Sequence, residues 1–207
     1  MKLSNQVFLT LRDRIVNLEY PPETRLVEEE LCKEFQVSRT PLREALLQLS
    51  EMNLVQSIPR YGTIVKPINF SEVRNAYEVK VHLEFLAGSL AAKRITQVQL
   101  ENLLRILNDY KLAFEQRKPT ADKDVNFHEI VYQATHNDVL EITLTKLTRR
   151  CIRLCRLFIP QQLKTSSNID SLSEIYEALH SKNAELSAKL CQEHSQYFLD
   201  LIREAAF

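Results

Sequence analysis

Val37-Ser38-Arg39-Thr40-Pro41-Leu42-Arg43-Glu44-Ala45-Leu46 is the stretch whose reading decides the fold. Ser38 is suited to cap a helix start, since its hydroxyl can accept an orphan backbone N–H. Pro41 then falls in the first turn, where a missing N–H breaks no helical bond. Arg39 and Arg43 lie four residues apart, so both guanidinium groups leave one face near the N-terminal end of that helix. A helix-turn-helix protein places that end in the major groove, where an arginine reaches a guanine edge or a phosphate.

Working outward, Val7, Leu11, Ile15 and Leu18 recur at helical spacing and predict a first helix over about 5–18, stopped by Tyr20-Pro21-Pro22. Val27, Leu31 and Phe35 predict a second over 26–35, and the turn at Gln36-Val37 leads into the Arg39 helix, which runs to about Met52. Leu54–Ile58 and Thr63–Lys66 carry β-branched residues on either side of Arg60-Tyr61-Gly62 and read as a hairpin. Residues 1–66 are therefore predicted to form a winged helix-turn-helix domain. Pro67-Ile68-Asn69-Phe70 interrupts regular structure and is taken as a linker over 67–70.

Beyond it no strand-like alternation occurs, and residues 71–207 read as an all-helical bundle with helices near 71–95, 97–116, 122–135, 139–158, 171–180 and 183–206. Leu100, Leu103, Leu104, Leu107, Tyr110 and Phe114 form the clearest apolar stripe. The expected fold class is mainly α: a winged helix followed by a helical bundle whose interior is able to hold a ligand.

Composition narrows the function by exclusion. Only two glycines are present, Gly62 and Gly88, so no Gly-rich phosphate loop and no G-x-S-x-G nucleophile elbow can be built. The net charge is zero, against non-specific coating of nucleic acid. Locally the balance differs: between Ser38 and Lys66 the charges are Arg39, Arg43, Arg60 and Lys66 against Glu44 and Glu51. No apolar run approaches the roughly 18 residues of a membrane span, and the expectation is a cytoplasmic protein with no membrane partner. The four cysteines, Cys32, Cys151, Cys155 and Cys191, contain no C-x-x-C pair and read as free thiols.

The chain resembles the GntR family of bacterial transcription regulators, in the FadR-like subfamily whose C-terminal helical domain is called FCD. The resemblance rests on Leu26-Val27-Glu28-Glu29-Glu30-Leu31, on Val37 to Leu46 and on the Gly62-centred wing, with Gln36 standing where the family usually has glycine. It continues through Leu83-Glu84, Asp124-x-x-Phe127-His128, His136-Asn137 and Ala178-Leu179, with the later His194. It implies DNA contacts from Arg39, Thr40 and Arg43, with Tyr61 and Gly62 at the wing tip, on a short palindromic operator with a GT…AC core. Many FCD domains hold a divalent metal through one aspartate and three histidines. Asp124, His128 and His194 match three of these, while Leu172 occupies the register position of the remaining histidine.

Two readings of that set stay open. Two imidazoles and a carboxylate suit a transition ion such as zinc or nickel, with water in the open positions. Equally, Asp124 can serve as a first-turn charge while the histidines hydrogen-bond in the core. Lys146, Arg149, Arg150, Arg153 and Arg156 form a basic stripe that is either a solvated face or, through Arg149 and Arg153, a clamp for an acidic effector. The leading expectation is a homodimeric, ligand-responsive regulator that is not an enzyme, responding to a carboxylate or sugar acid. The alternative is a metal-dependent enzyme using Asp124, His128 and His194, which leaves the Arg39 helix unexplained.

Overall fold

The computed structural model describes residues 2–118, 120–158 and 166–205. The chain divides into two compact units, one ending at Asn69 and the other starting at Phe70.

In the first unit α1 (Leu3–Val16) buries Val7, Leu11 and Ile15, the stripe expected from their spacing. Strand β1 (Arg25–Leu26) precedes α2 (Glu28–Phe35), and α3 (Arg39–Glu51) buries Leu42, Ala45, Leu46 and Leu49. Strands β2 (Val55–Ile58) and β3 (Gly62–Val65) form the hairpin, and the antiparallel sheet has the order β1-β3-β2. Two expectations need correction. Leu26 does not open α2: Arg25 pairs with Ile64 and Leu26 with Thr63, which makes the hairpin a three-stranded sheet and buries Leu26 in the core. Ser38 takes the cap position with extended backbone, but its hydroxyl makes no capping hydrogen bond.

The hairpin turn follows from its register, in which Ile58 pairs with Gly62. Three residues connect the strands, Arg60 sits in the left-handed region at φ 64°, and the Tyr61 N–H donates to the Ile58 carbonyl at 3.1 Å. Gly62 continues at φ 112°, where a side chain is strained.

The described residues of the second unit form α4 (Phe70–Arg94), α5 (Gln97–Glu115), α6 (Ala121–Ala134), α7 (Asp138–Phe158), α8 (Ser166–His180) and α9 (Ala184–Ala205). Thr96 and Gln99 close a reciprocal capping box at the start of α5. Leu100, Leu103, Leu107 and Tyr110 from α5 join Phe127 and Val131 from α6 with Leu172, Ile175 and Leu179 from α8 in one core. Leu104 and Phe114, counted in the same stripe, stay 43% and 37% exposed. Gly88 lets α4 approach α9 so closely that a Cβ there would lie 2.5 Å from the Ser187 carbonyl oxygen. Among the described cysteines, Cys151 and Cys191 are buried and Cys32 is partly buried, all three as free thiols.

Candidate functional site

Two surfaces carry chemistry, and the first lies on the winged unit. Arg39, Thr40 and Arg43 are all exposed at the start of α3, and Tyr61 and Gly62 are exposed at the hairpin tip. Arg43 is not bare: its Nε donates to Glu28 Oε2 at 3.0 Å, so the carboxylate comes from α2 rather than from the adjacent Glu44. Exposed ion pairs of this kind contribute little, and a phosphate or base edge can replace the carboxylate.

The second lies inside the helical unit. Asp124 and His128 project from one face of α6, and α9 brings His194 against them. One ligand atom from each of the three lies within 4.8 Å of the others. His194 Nε2 stands 3.6 Å from Asp124 Oδ1, just beyond hydrogen-bond length, and the two imidazole rings are 5.0 Å apart between centroids. Ser171 Oγ and His194 Nδ1 are 3.0 Å apart, which leaves Nε2 turned toward Asp124. Asn168 donates to Asp124 Oδ1 at 3.2 Å and to the Tyr110 hydroxyl at 2.7 Å, tying the carboxylate to α5 and α8.

The protonation states suit a cation. Burial alone would raise the Asp124 pKa, but His194, His128 and the Asn168 hydrogen bond outweigh it and hold the carboxyl well below the usual range. Burial pushes His128 down to about 4 against the pull of Glu84, so its ring is neutral near pH 7 with a lone pair to offer. His128 Nδ1 and His194 Nε2 are buried without a hydrogen-bond partner. A buried imidazole nitrogen left unpartnered costs about 1–3 kcal/mol; His194 Nε2 faces Asp124, where a ligated ion would remove that cost, while His128 Nδ1 lies toward Glu84. Asp124, His128 and His194 therefore fit a three-ligand divalent site, given a small inward adjustment. Leu172 adds nothing to it: at 0% exposure its side chain is part of the apolar core.

Behind the histidines runs a charged network that the sequence does not announce. Lys80 and Glu84 are both buried, with Lys80 Nζ 2.5 Å from Glu84 Oε1 and 2.9 Å from Ser195 Oγ. The Tyr132 hydroxyl also bonds to Glu84 Oε1 and lies 3.0 Å from Thr148 Oγ1, while His128 Nδ1 is 3.7 Å from the same carboxylate oxygen. Burial would raise the Glu84 pKa, yet the Lys80 charge, His128 and the hydrogen bonds hold it below its ordinary value. The i, i+4 spacing of Lys80 and Glu84 was the available signal, but on sequence alone it is the spacing of an ordinary solvated pair.

Arg149 lies apart from this interior. Its guanidinium is 41% exposed and pairs with Glu129 at 3.0 Å. The side chain of Arg153 falls outside the described residues. His82 is exposed, and His180 stacks on Tyr176 at the surface, away from any ligand set.

With both surfaces in view, comparison with known proteins decides the family. The profile of bacterial regulatory proteins of the gntR family matches residues 3–65, and the FCD domain profile matches residues 75–197. The chain belongs to the GntR family, in the branch that carries an FCD domain. This GntR regulator is 26% identical over 204 residues to the HTH-type transcriptional repressor RspR of Escherichia coli (strain K12), covering 98% of this chain and 90% of that one. It is 28% identical over 175 residues to the galactonate operon transcriptional repressor of the same strain, covering 70% and 74%. In structure it is similar to E. coli McbR/YncC, with a TM-score of 0.85, 22% identity and 100% of both chains covered. That likeness concerns the fold alone. The FCD regulator therefore joins a DNA-binding winged helix to an effector-binding helical domain, and none of its described helices is long and apolar enough to cross a membrane.

Proposed function

We propose that this regulator binds a short palindromic operator as a homodimer and releases or tightens its hold when a small acid enters the helical domain. Arg39, Thr40 and Arg43 read the major groove, with Tyr61 and Gly62 at the adjacent backbone or minor groove. Two copies are needed because one winged helix covers too few base pairs to be selective.

The effector site centres on Asp124, His128 and His194, which hold a zinc or nickel ion. Such an ion, when bound, supplies open coordination positions for effector oxygens. Asn168 and Ser171 keep Asp124 and His194 in place. Arg149 takes part only by exchanging Glu129 for the effector, and Arg153 stands on the next turn of the same helix as its proposed partner. An acid that binds one arrangement of the helical domain more tightly shifts the population, and by linkage the DNA affinity changes by the same factor.

The observation that carries this reading is the meeting of the ionised Asp124 carboxylate, a neutral His128 ring and the unpartnered, buried Nε2 of His194, brought together from α6 and α9. The enzyme alternative has no comparable support, since the relatives are described as transcriptional repressors. The test is a thermal-shift screen of small carboxylates and sugar acids with zinc, with nickel and with EDTA. At least one acid is expected to raise the melting temperature more with metal than with EDTA, and to change binding to a GT…AC palindrome. If no acid stabilises the protein in either condition, the helical domain is not an acid sensor.

A further inference from the structure

Most cations of the winged unit fall into two groups. Arg12 pairs with Asp13, Arg14 with Glu34, Lys33 with Glu29 and Arg43 with Glu28. Among the described arginines of that unit, Arg25, Arg39 and Arg60 stand exposed with no carboxylate in ion-pair reach. Arg39 opens α3, the helix proposed to read the operator, and Arg60 lies in the hairpin turn. Arg25 is the unexplained member, because it comes from a strand that the sequence does not reveal.

Its placement is specific. Pairing with Ile64 fixes the Arg25 backbone to the middle of β3, on the strand that carries the wing tip. From there the guanidinium reaches back over the Tyr61 ring, 4.9 Å from its centroid. A Cβ built on Gly62 would meet Arg25 Nε at 3.7 Å and Nη2 at 3.9 Å, so the charge sits directly beside the tip. Stacking occupies one face of the guanidinium and leaves its in-plane N–H donors free, the geometry suited to a phosphate.

We infer that Arg25, held flat on Tyr61, is a DNA-backbone contact of this regulator, gripping a phosphate beside the wing. The inference rests on the reading of the winged unit as the operator-binding surface. It adds a residue outside the recognition helix and gives Tyr61 a defined task, that of a platform for the arginine.

The experiment uses the full chain and a fluorescein-labelled 30-base-pair duplex carrying a GT…AC palindrome, titrated by anisotropy at several NaCl concentrations. One phosphate contact contributes about 0.9 to the slope of log K against log salt. Arg25→Gln is expected to flatten the slope by about that amount per bound protomer. Between 50 and 200 mM salt the variant then loses about threefold less affinity per protomer than the wild type. Arg25→Lys is expected to keep the wild-type slope, since it keeps the charge, and Arg12→Gln, which removes a paired cation, is expected to leave it unchanged. Circular-dichroism melts of each variant separate a folding defect from lost contact, because a purely structural Arg25 would move the melting temperature in both Gln and Lys variants and leave the slope alone. An unchanged slope for Arg25→Gln, with Arg39→Ala clearly weakened, overturns the inference about Arg25. Unchanged binding for Arg39→Ala as well overturns the reading of the whole unit.

Discussion

Replacing Gly88 by alanine adds one methyl group at the closest approach of two helices. The new Cβ would stand 2.5 Å from the Ser187 carbonyl oxygen, 2.8 Å from its carbon and 2.9 Å from Ala188 Cα, whereas ordinary contact begins near 3.4 Å. Every opposed atom is backbone, so no rotamer change relieves the overlap and α9 must shift by most of an ångström. Overpacking costs about 1–3 kcal/mol, and the end nearer 3 applies when a helix has to move. Alanine returns about 1 kcal/mol through its helix propensity. The clash wins by about 2 kcal/mol, or a melting temperature lower by about 6 °C for a chain of this size. Differential scanning calorimetry of the wild type, Gly88→Ala and the Gly88→Ala, Ser187→Ala pair measures this. Trimming Ser187 is expected not to rescue, because its main chain is the obstacle. A Gly88→Ala protein as stable as the wild type would show that α4 and α9 do not meet at this distance.

Three further outcomes follow from the two surfaces. Arg39→Ala and Arg43→Ala are each expected to cost about 1–3 kcal/mol at a GT…AC palindrome if the side chain makes a bidentate base contact; anisotropy at fixed salt that shows neither loss removes both from the interface. Metal retained after dialysis is expected to rise in Leu172→His and fall in His128→Ala relative to the wild type, and equal, negligible metal in all three would make these histidines core residues. The folded pKa of His128, about 4, lies below its ordinary value of 6.5, so the unfolded chain takes up the proton first. Stability of the metal-free protein is then complete above about pH 6.5 and declines as pH falls toward 4, by roughly 3 kcal/mol at most. Urea unfolding in EDTA at pH 7, 6 and 5 checks this, and a flat profile contradicts it.

The winged helix was legible because its signals are local: apolar residues at helical spacing, Pro41 in a first turn, and a glycine between two β-branched runs. The helical domain was legible for the same reason, down to Asp124 and His128 on one face of α6. Strand β1 was not, since two residues show no period and Arg25-Leu26 pairs only because β3 lies beside it. The Lys80–Glu84 network was hidden differently. Its burial depends on Tyr132 from α6 and Ser195 from α9, residues that no spacing within α4 brings to mind. Arg149 marks the limit of helix periodicity, for a basic stripe does not say which way its helix is turned, and here Glu129 holds that guanidinium.

Gln36 ends α2 with φ 53°, and it is one of eight described non-glycine residues with positive φ, including Leu18 and Lys182 at other helix ends. For most side chains that conformation is locally unfavourable by about 1–2 kcal/mol. The α2 stop is therefore imposed by the packing of the unit and not by a residue that prefers to stop there. A peptide spanning α2 and α3 keeps only the turn's local bonds, from the Val37 N–H to the Cys32 carbonyl and from the Gln36 N–H to the Lys33 carbonyl, so the turn that aims Arg39 leans on the burial of Val37 in the core it shares with α1. Recognition geometry and global folding become one cooperative property: a mutation that loosens the core under α1 blurs operator reading even when every DNA-facing side chain is intact.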